Sequence, residues 1–248
     1  MQPLFNFQGS AVLSYLTFLG SAAAGLLGMA VLAFLLLTRR FEMARRLAQM
    51  GCLCAALYFV VLFGCSVASD EQAVAAGGEK YFCEVDCHQA FSIVGVERAK
   101  SVGVPPAEAP AQGEFYIVKL RVRFDERTIS KRRPLGIPLY PNPKYAVIVD
   151  ADGKEYRPAV EAQLALAKGK GALPSLTQPI RPGDAYETQF IFDLPANVRE
   201  PRLLITEMDP TTILLIGHEN SLFHKKTTFQ LPPPATSSAL RTSRWEVH

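Results

Sequence analysis

Charged side chains are missing from the first 38 residues of this 248-residue chain. A secretory signal peptide begins with a basic region and has a shorter apolar run, so we expect this segment to be retained rather than cleaved. The apolar stretch 11–37 exceeds the roughly 20 residues that cross a hydrocarbon core. A second uncharged stretch covers 47–68. Both are predicted to be transmembrane helices, which together form a hairpin within residues 1–69.

A strongly basic balance is also lacking. The 26 Lys and Arg and the 23 Asp and Glu of the chain include four Arg and one Glu between the two spans, which leaves 22 residues of each sign elsewhere. Electrostatic capture of nucleic acid needs a basic face, so the composition predicts that nucleic acid is not a partner.

The arginines between the spans predict the orientation of the hairpin. Arg39, Arg40, Arg45 and Arg46 lie in a predicted nine-residue loop, 38–46, whereas the residues before the first span contain no Lys or Arg. Loops rich in Lys and Arg stay in the cytoplasm. The loop is therefore expected to be cytoplasmic, with both termini on the outer side.

Small residues predict how the two spans pack. Gly20, Ala24 and Gly28 are four residues apart and share one helix face, where a second helix can approach closely. We expect this face to meet Gly51 and Ala55 of the second span, or alternatively another membrane subunit.

Recognisable catalytic motifs are absent from the sequence. No spacing of Ser, His and Asp indicates nucleophilic catalysis, although His218 to Ser221 forms a short polar stretch. The glycines of 168–171 lack the spacing of a phosphate-binding loop. The chain is therefore not expected to be an enzyme.

The remaining chain is rich in short strand patterns. In 116–124 apolar residues alternate with Lys and Arg, as in a strand with one buried face. Residues 145–149 and 155–157 flank a turn at Asp150–Gly153, and 180–184 is a turn before a strand at 186–192. Further strands are predicted at 202–206, 212–216 and 227–231, and a helix at 159–168. The pattern favours an antiparallel β-sandwich over 91–231, between a tether, 70–90, and a Pro/Ser-rich tail, 232–248.

Three stretches, 115–122, 149–156 and 180–195, together resemble a family of bacterial extracytoplasmic immunoglobulin-like domains of unknown function, which are tethered by a lipid or a membrane helix. The resemblance implies an α+β membrane protein, with a transmembrane hairpin followed by an all-β immunoglobulin-like sandwich. It implies an adhesion, sensing or assembly module in the bacterial inner membrane, with its sandwich on the periplasmic side. The expected partners are the lipid bilayer and other membrane or extracytoplasmic proteins, including a larger complex of which this chain is an accessory subunit.

The most distinctive chemical feature is the group Cys83, Cys87 and His88. The two cysteines can close a small disulfide loop in an oxidising compartment. They also resemble a c-type haem attachment site with one extra residue between the thiols, for which Met208, His218 or His224 would be the distal ligand. The third reading is a copper or zinc site formed with a later histidine. No bound cofactor is the first expectation, and haem c or Cu/Zn the alternative.

The order of the segments also resembles subunit II of haem-copper oxidases, which has two spans before a β-rich outer domain and a pair of cysteines with three residues between them. That family has a His and a Met after its second cysteine. Phe91 and Val94 occupy those positions here, so the resemblance departs at its copper ligands.

Overall fold

The computed structural model describes residues 11–84, 87–129, 134 and 136–233, without the side chains of Ala11, Val12, Cys83, Glu84, Cys87, His88, Thr128 and Lys170. The chain forms two compact units. One contains two apolar helices and the later segment Asp209–Thr227. The other is the β-rich unit, which comprises Ala73–Met208 and continues from Thr228.

Two helices, α1 (Ala11–Leu37) and α2 (Phe41–Val67), confirm the two predicted helical stretches. The predicted nine-residue loop is wrong, because only Thr38 to Arg40 separate the helices. Arg39 adopts a left-handed conformation with φ of 55°, and the Arg40 N–H donates to the Leu35 carbonyl at 2.9 Å. This tight reversal ends α1. Arg45 and Arg46 therefore lie in α2, since Arg is a good helix former.

The small residues of the first span do not pack against Gly51 and Ala55, and their docking on another membrane subunit stays a prediction. A Cβ atom built on Gly20, Gly28 or Gly51 would meet no atom within 4 Å, so these positions do not bring two backbones into close contact. Ala24, in the same predicted face, is exposed. The buried side chains of the two helices lie elsewhere, at Leu35 and Ala44 beside the reversal and at Leu62 and Ser66 near the end of α2.

The β-rich unit is a sandwich of two antiparallel sheets. One sheet has the strand order β1-β9-β8-β5-β6 and the other β2-β3-β4-β7. The strands are β1 (Gln72–Val74), β2 (Glu79–Glu84), β3 (Cys87–Val102), β4 (Ala109–Asp125), β5 (Lys144–Val149), β6 (Glu155–Tyr156), β7 (Ala185–Leu194), β8 (Arg202–Glu207) and β9 (Thr227–Gln230). The predicted tether over 70–90 is wrong, since β1, β2 and the start of β3 occupy it.

The sandwich core follows the alternation that the sequence predicts for β4. Val118, Leu120, Val122 and Phe124 are fully buried, while Arg121 between them is exposed. The core residues of the two facing sheets include Phe82, Phe91, Ile148, Phe192, Leu203, Ile205 and Phe229. Burial of this apolar surface is the main stabilising contribution to the sandwich.

The helix α3 (Val160–Lys170) confirms the predicted helix and covers part of the outer face of the four-stranded sheet. Ala162 and Leu166 pack there against strand residues that point away from the main core, such as Ile117 and Ile191. One end of this outer face is therefore apolar and covered, whereas Lys119, Arg121 and Arg123 of β4 lie farther along it.

The turns that the sequence predicts are present, but one predicted strand is not. Asp150 Oδ1 accepts from the N–H groups of Asp152 and Lys154, both at 2.9 Å, and Gly153 supplies a φ of 78°. The strand predicted over 212–216 is wrong, because Pro210–Leu214 is a 3₁₀ helix. Asp209 caps this helix by accepting from the Thr211 N–H, a local bond that competes with extended structure.

Candidate functional site

The β2–β3 hairpin carries the cysteine and histidine positions. The backbone register pairs Cys83 with His88, Glu84 with Cys87, and His88 with Asp125 on β4. Directly opposed positions share a face of a sheet and neighbouring positions alternate between faces. Cys83, His88 and Asp125 therefore occupy one row of the backbone register across three strands, and Cys87 lies in the neighbouring row.

This register changes how the predicted cluster can be assembled. A Cys83–Cys87 disulfide, or joint attachment of haem through both thiols, requires the hairpin end to depart from the paired register. The side chains of Cys83, Cys87 and His88 lie outside the described part of the structure, so disulfide, haem and metal binding there remain predictions. The described cysteines Cys52, Cys54 and Cys65 are free thiols.

An ion-pair network centred on Asp125, the last residue of β4, lies on the outer face of the four-stranded sheet. Asp125 is buried and accepts hydrogen bonds from Arg127 Nε at 3.0 Å and Nη2 at 2.8 Å, and from the Arg127 N–H at 3.1 Å. Arg123 Nη1 is 3.5 Å from Asp125 Oδ1, and its Nη2 donates to Glu79 Oε2 at 2.8 Å. Tyr81 donates its hydroxyl to Glu79 at 2.7 Å.

The network holds its carboxylates ionised. Hydrogen bonds from Arg127 lower the pKa of Asp125 far below its usual range, against the opposing effect of burial. The hydrogen bond from Arg123 lowers the pKa of Glu79, and the hydrogen bond between Tyr81 and Glu79 raises the pKa of Tyr81. Asp125 already pairs with Arg123 and Arg127, so binding a metal ion through its carboxylate would break these interactions.

A second polar group lies inside the sandwich. Lys144 and Glu207, on paired strands β5 and β8, bring Nζ and Oε1 to 3.7 Å with both side chains buried. Lys80 Nζ donates to the Ile205 carbonyl at 2.9 Å. The Nζ atoms of Lys80 and Lys144 lie 4.9 Å and 5.2 Å from the centre of the Phe82 ring, a cation–π geometry that offsets part of their desolvation.

The predicted distal ligands lie in different surroundings. Met208 follows β8 and is exposed, with its N–H bonded to the Pro143 carbonyl at 2.8 Å. His218 Nδ1 accepts from the Asn220 N–H at 3.0 Å, and burial lowers the pKa of His218 to about 4. His224 Nδ1 lies 2.7 Å from the Lys225 carbonyl. Among the described residues, no three His, Cys, Asp or Glu side chains form a metal-binding group.

The segment Asp209–Thr227, called the return segment below, packs on the two apolar helices. Tyr58 donates its hydroxyl to the Leu214 carbonyl at 2.6 Å, and Ser14 donates to the Ile216 carbonyl at 2.8 Å. The Lys225 N–H donates to Ser69 Oγ at 2.9 Å. The rings of Phe63 and Phe223 have their centres 5.7 Å apart. The segment contains the polar stretch from His218 to Ser221.

Sequence reasoning missed both charged groups and the return segment. Alternation in β4 predicted that Arg123 faces outward, but the partner Glu79 lay in a stretch interpreted as a tether. Lys80 and Lys144 carried no signal of burial, because a buried lysine differs from an exposed one only through its neighbours. The return segment contains enough apolar residues to resemble a strand, which hid its contact with the helices.

No family model matches the chain, and no curated protein does. Among solved structures, the secreted protein MPT63 from Mycobacterium tuberculosis is 12% identical over 65% of this chain and 99% of its own, with a TM-score of 0.40. A conserved hypothetical protein from Bacillus anthracis is 15% identical over 55% of this chain and 89% of its own, with a TM-score of 0.37. An uncharacterised β-sandwich protein from Clostridium difficile 630 is 10% identical over 66% of this chain and 97% of its own, with a TM-score of 0.32.

Proposed function

We propose that the protein is a membrane-anchored extracytoplasmic binding or assembly module of the bacterial inner membrane. In this proposal α1 and α2 cross the bilayer, and an immunoglobulin-like sandwich on the periplasmic side binds other membrane or extracytoplasmic proteins. A larger membrane complex, with this chain as an accessory subunit, is the setting proposed.

The observation that carries the anchoring is the apolar surface of the two helices. Both are long and apolar enough to cross a membrane. Leu27 is 67% exposed and Leu57 is 63% exposed, and both belong to a series of large apolar side chains that nothing in the described chain covers. Lipid would remove this surface from water at a gain of about 25 cal/mol per Å².

The positions of the arginines support the proposed orientation. Arg39 and Arg40 lie in the reversal, and Arg45 and Arg46 follow within the first two turns of α2. All four therefore lie near the same end of the hairpin, where a cytoplasmic location is favoured. The sandwich follows the opposite end of α2 in the chain, which supports its placement outside.

Photo-crosslinking in native membranes tests the binding role. A photoreactive amino acid would replace Val94 on β3 or Tyr140, both exposed on the sandwich, and Leu27 on α1 would be the lipid-facing control. We expect at least one sandwich position to give a discrete adduct of higher mass, whereas Leu27 gives lipid adducts. If no sandwich position yields a protein adduct, the binding role fails while the anchoring stands.

A redox or metal module at Cys83, Cys87 and His88 is the alternative function. The pairing of Cys83 with His88 in the hairpin register favours it, because a thiolate and an imidazole at opposed positions suit copper or zinc. The test is an absorption spectrum, metal analysis and a haem stain of protein purified from native membranes. Stoichiometric metal or covalent haem that is lost in His88→Ala would replace the binding role, whereas a colourless, metal-free protein would eliminate this alternative.

A further inference from the structure

We propose that the return segment, Asp209–Thr227, is an interfacial element that inserts into the outer leaflet beside α1 and α2, where it contacts phospholipid acyl chains. The inference rests on the proposed membrane anchoring. It assigns a lipid-binding surface to a stretch that lies between β8 and β9 in the sequence, far from both helices.

The first observation is the depth of the contacts along α2. Ser69 receives the Lys225 N–H just beyond the end of the helix, Phe63 contacts Phe223, and Tyr58 reaches the Leu214 carbonyl. Tyr58 precedes the last residue of α2, Val67, by nine residues, which corresponds to about 14 Å at 1.5 Å per residue. If α2 spans a hydrocarbon core of about 30 Å, the segment beside it enters the outer leaflet.

The second observation is the internal hydrogen bonding of the segment. Five N–H groups, three residues apart in sequence, each donate to the carbonyl of the residue three positions earlier, which forms successive turns; they belong to Thr212, Leu215, His218, Ser221 and His224. The Ser221 hydroxyl donates to the Leu215 carbonyl, and Glu219 accepts from the Thr227 N–H at 2.9 Å. Non-helical backbone is tolerated at membrane depth where it is buried in protein, and the bonds from Tyr58 and Ser14 to the Leu214 and Ile216 carbonyls place part of this backbone against the helices.

The third observation is the distribution of side chains. Leu215 and Thr212 are fully buried inside the unit, whereas Leu222 and Phe223 are exposed, Phe223 by 73%. Phe223 continues a row of aromatic rings on α2, in which Tyr58 contacts Phe59 and Phe59 stacks on Phe63. The exposed apolar surface of the segment is therefore continuous with that of the helices, and lipid is the occupant that both share.

Depth-dependent fluorescence quenching tests the inference on the full chain in phospholipid vesicles. Trp245, the one tryptophan of the sequence, would be replaced by Phe, and a reporter introduced as Leu222→Trp. The vesicles would contain phospholipids brominated either near the headgroup end or near the methyl end of the acyl chain. Ile213→Trp is a second reporter if Leu222→Trp does not fold. Leu57→Trp on α2 is the lipid control, and Val94→Trp on the sandwich is the aqueous control.

We expect lipids brominated near the headgroup end to quench the reporter at Leu222 most strongly. Lipids brominated near the methyl end should quench the reporter at Leu57 most strongly. The reporter at Val94 should respond only to acrylamide in the buffer. Quenching at Leu57 without quenching at Leu222 or Ile213 would overturn the inference and leave the anchoring intact; this is the result if another protein or a second copy covers the segment. Absence of quenching at Leu57 would overturn the anchoring itself.

Discussion

Tyr58 of α2 donates its hydroxyl to the main-chain carbonyl of Leu214, 156 residues further along the chain, at 2.6 Å. The bond joins a helix proposed to cross the membrane to a segment that leaves the sandwich after β8. The Tyr58 hydroxyl therefore has a specific hydrogen-bonding partner, although it lies in an apolar helix.

Tyr58→Phe removes this hydroxyl and preserves the ring that contacts Phe59. A typical hydrogen bond contributes about 0.5–1.5 kcal/mol, so the return segment should open more readily by that amount. Hydrogen–deuterium exchange of peptides from 209–227 measures the change. Tyr140→Phe, at an exposed tyrosine of the other unit, is the matched control, and equal exchange in the two variants would contradict the contribution of the Leu214 bond.

His218 makes the return segment sensitive to pH. Its folded pKa of about 4 lies below the usual value of about 6.5, and its Nδ1 accepts from the Asn220 N–H, which a protonated ring cannot do. Between about pH 4 and pH 6.5 the unfolded segment therefore binds more protons than the folded segment. Stability is complete above about pH 6.5 and declines as pH falls towards 4. Glu219 opposes the fall in pKa, whereas Lys226 and His224 add to it.

The measurement is hydrogen exchange of the return segment at pH 7 and pH 5, corrected for the intrinsic exchange rate. The wild-type segment should lose protection at pH 5. His218→Asn places an amide oxygen near the position of Nδ1 and should remove most of the pH dependence, while His224→Asn should retain it. The same pH dependence in His218→Asn as in the wild type would contradict this role of His218.

Asp125 gives the sandwich a different pH dependence. Its folded pKa lies below the usual value of about 3.9, so its contribution is complete above that value and is lost as pH falls through the lowered folded pKa. We expect Asp125→Asn to lower the free energy of unfolding by about 1.5–2 kcal/mol at pH 7, the lower part of the range for bonds to charged groups because Arg127 is largely exposed.

Urea unfolding at pH 7 and pH 3 measures this difference. The difference in the free energy of unfolding between wild type and Asp125→Asn should be smaller at pH 3, because the carboxyl of Asp125 is protonated in the unfolded chain at that pH. Asp70→Asn, at an exposed residue, is the control and should behave as wild type at both values. A larger difference in the free energy of unfolding at pH 3 than at pH 7 would mean that the Arg127 bonds do not stabilise the folded state.

Leu62 and Leu57 on α2 provide a matched pair of substitutions. Leu62 is fully buried, so Leu62→Ala should destabilise the hairpin unit by about 2–5 kcal/mol through the cavity it leaves. Leu57 is exposed and would face lipid in both the packed and separated helices, so Leu57→Ala should change stability by less than about 0.5 kcal/mol. Unfolding in mixed detergent micelles measures both losses of stability. Equal losses in Leu62→Ala and Leu57→Ala would contradict the buried packing of Leu62.

The two long helices and the strands β4, β5 and β7 could be predicted because their signals are local. Long uncharged runs and strict alternation act through a residue's immediate neighbours, as in 118–124. The tight reversal at Arg39 was missed because charged residues were taken to mark a loop, although Arg and Glu are compatible with the first turns of α2. Gly20 and Gly28 do not meet the second span, because small residues permit close packing without requiring it.

The sites depended on contacts between distant parts of the chain. Glu79 meets Arg123 across the neighbouring strand β3, and Tyr58 meets Leu214 across more than half of the sequence. The cysteine cluster was recognised from sequence as a group, but strand register divides it, pairing Cys83 with His88 and Cys87 with Glu84. Residues that are close in sequence can share a site in a turn or helix, whereas successive residues of a strand belong to opposite faces of the sheet.

Reporter fusions determine on which side of the membrane the sandwich and the reversal between the helices lie. Alkaline phosphatase, active only outside the cytoplasm, and green fluorescent protein, fluorescent only inside when exported unfolded, would each be fused after Leu231 and, separately, inserted at Arg40. We expect phosphatase activity with no fluorescence after Leu231, and fluorescence with no phosphatase activity at Arg40. Fluorescence after Leu231, or the same reporter active at both positions, would contradict a sandwich held outside the membrane by a two-helix anchor.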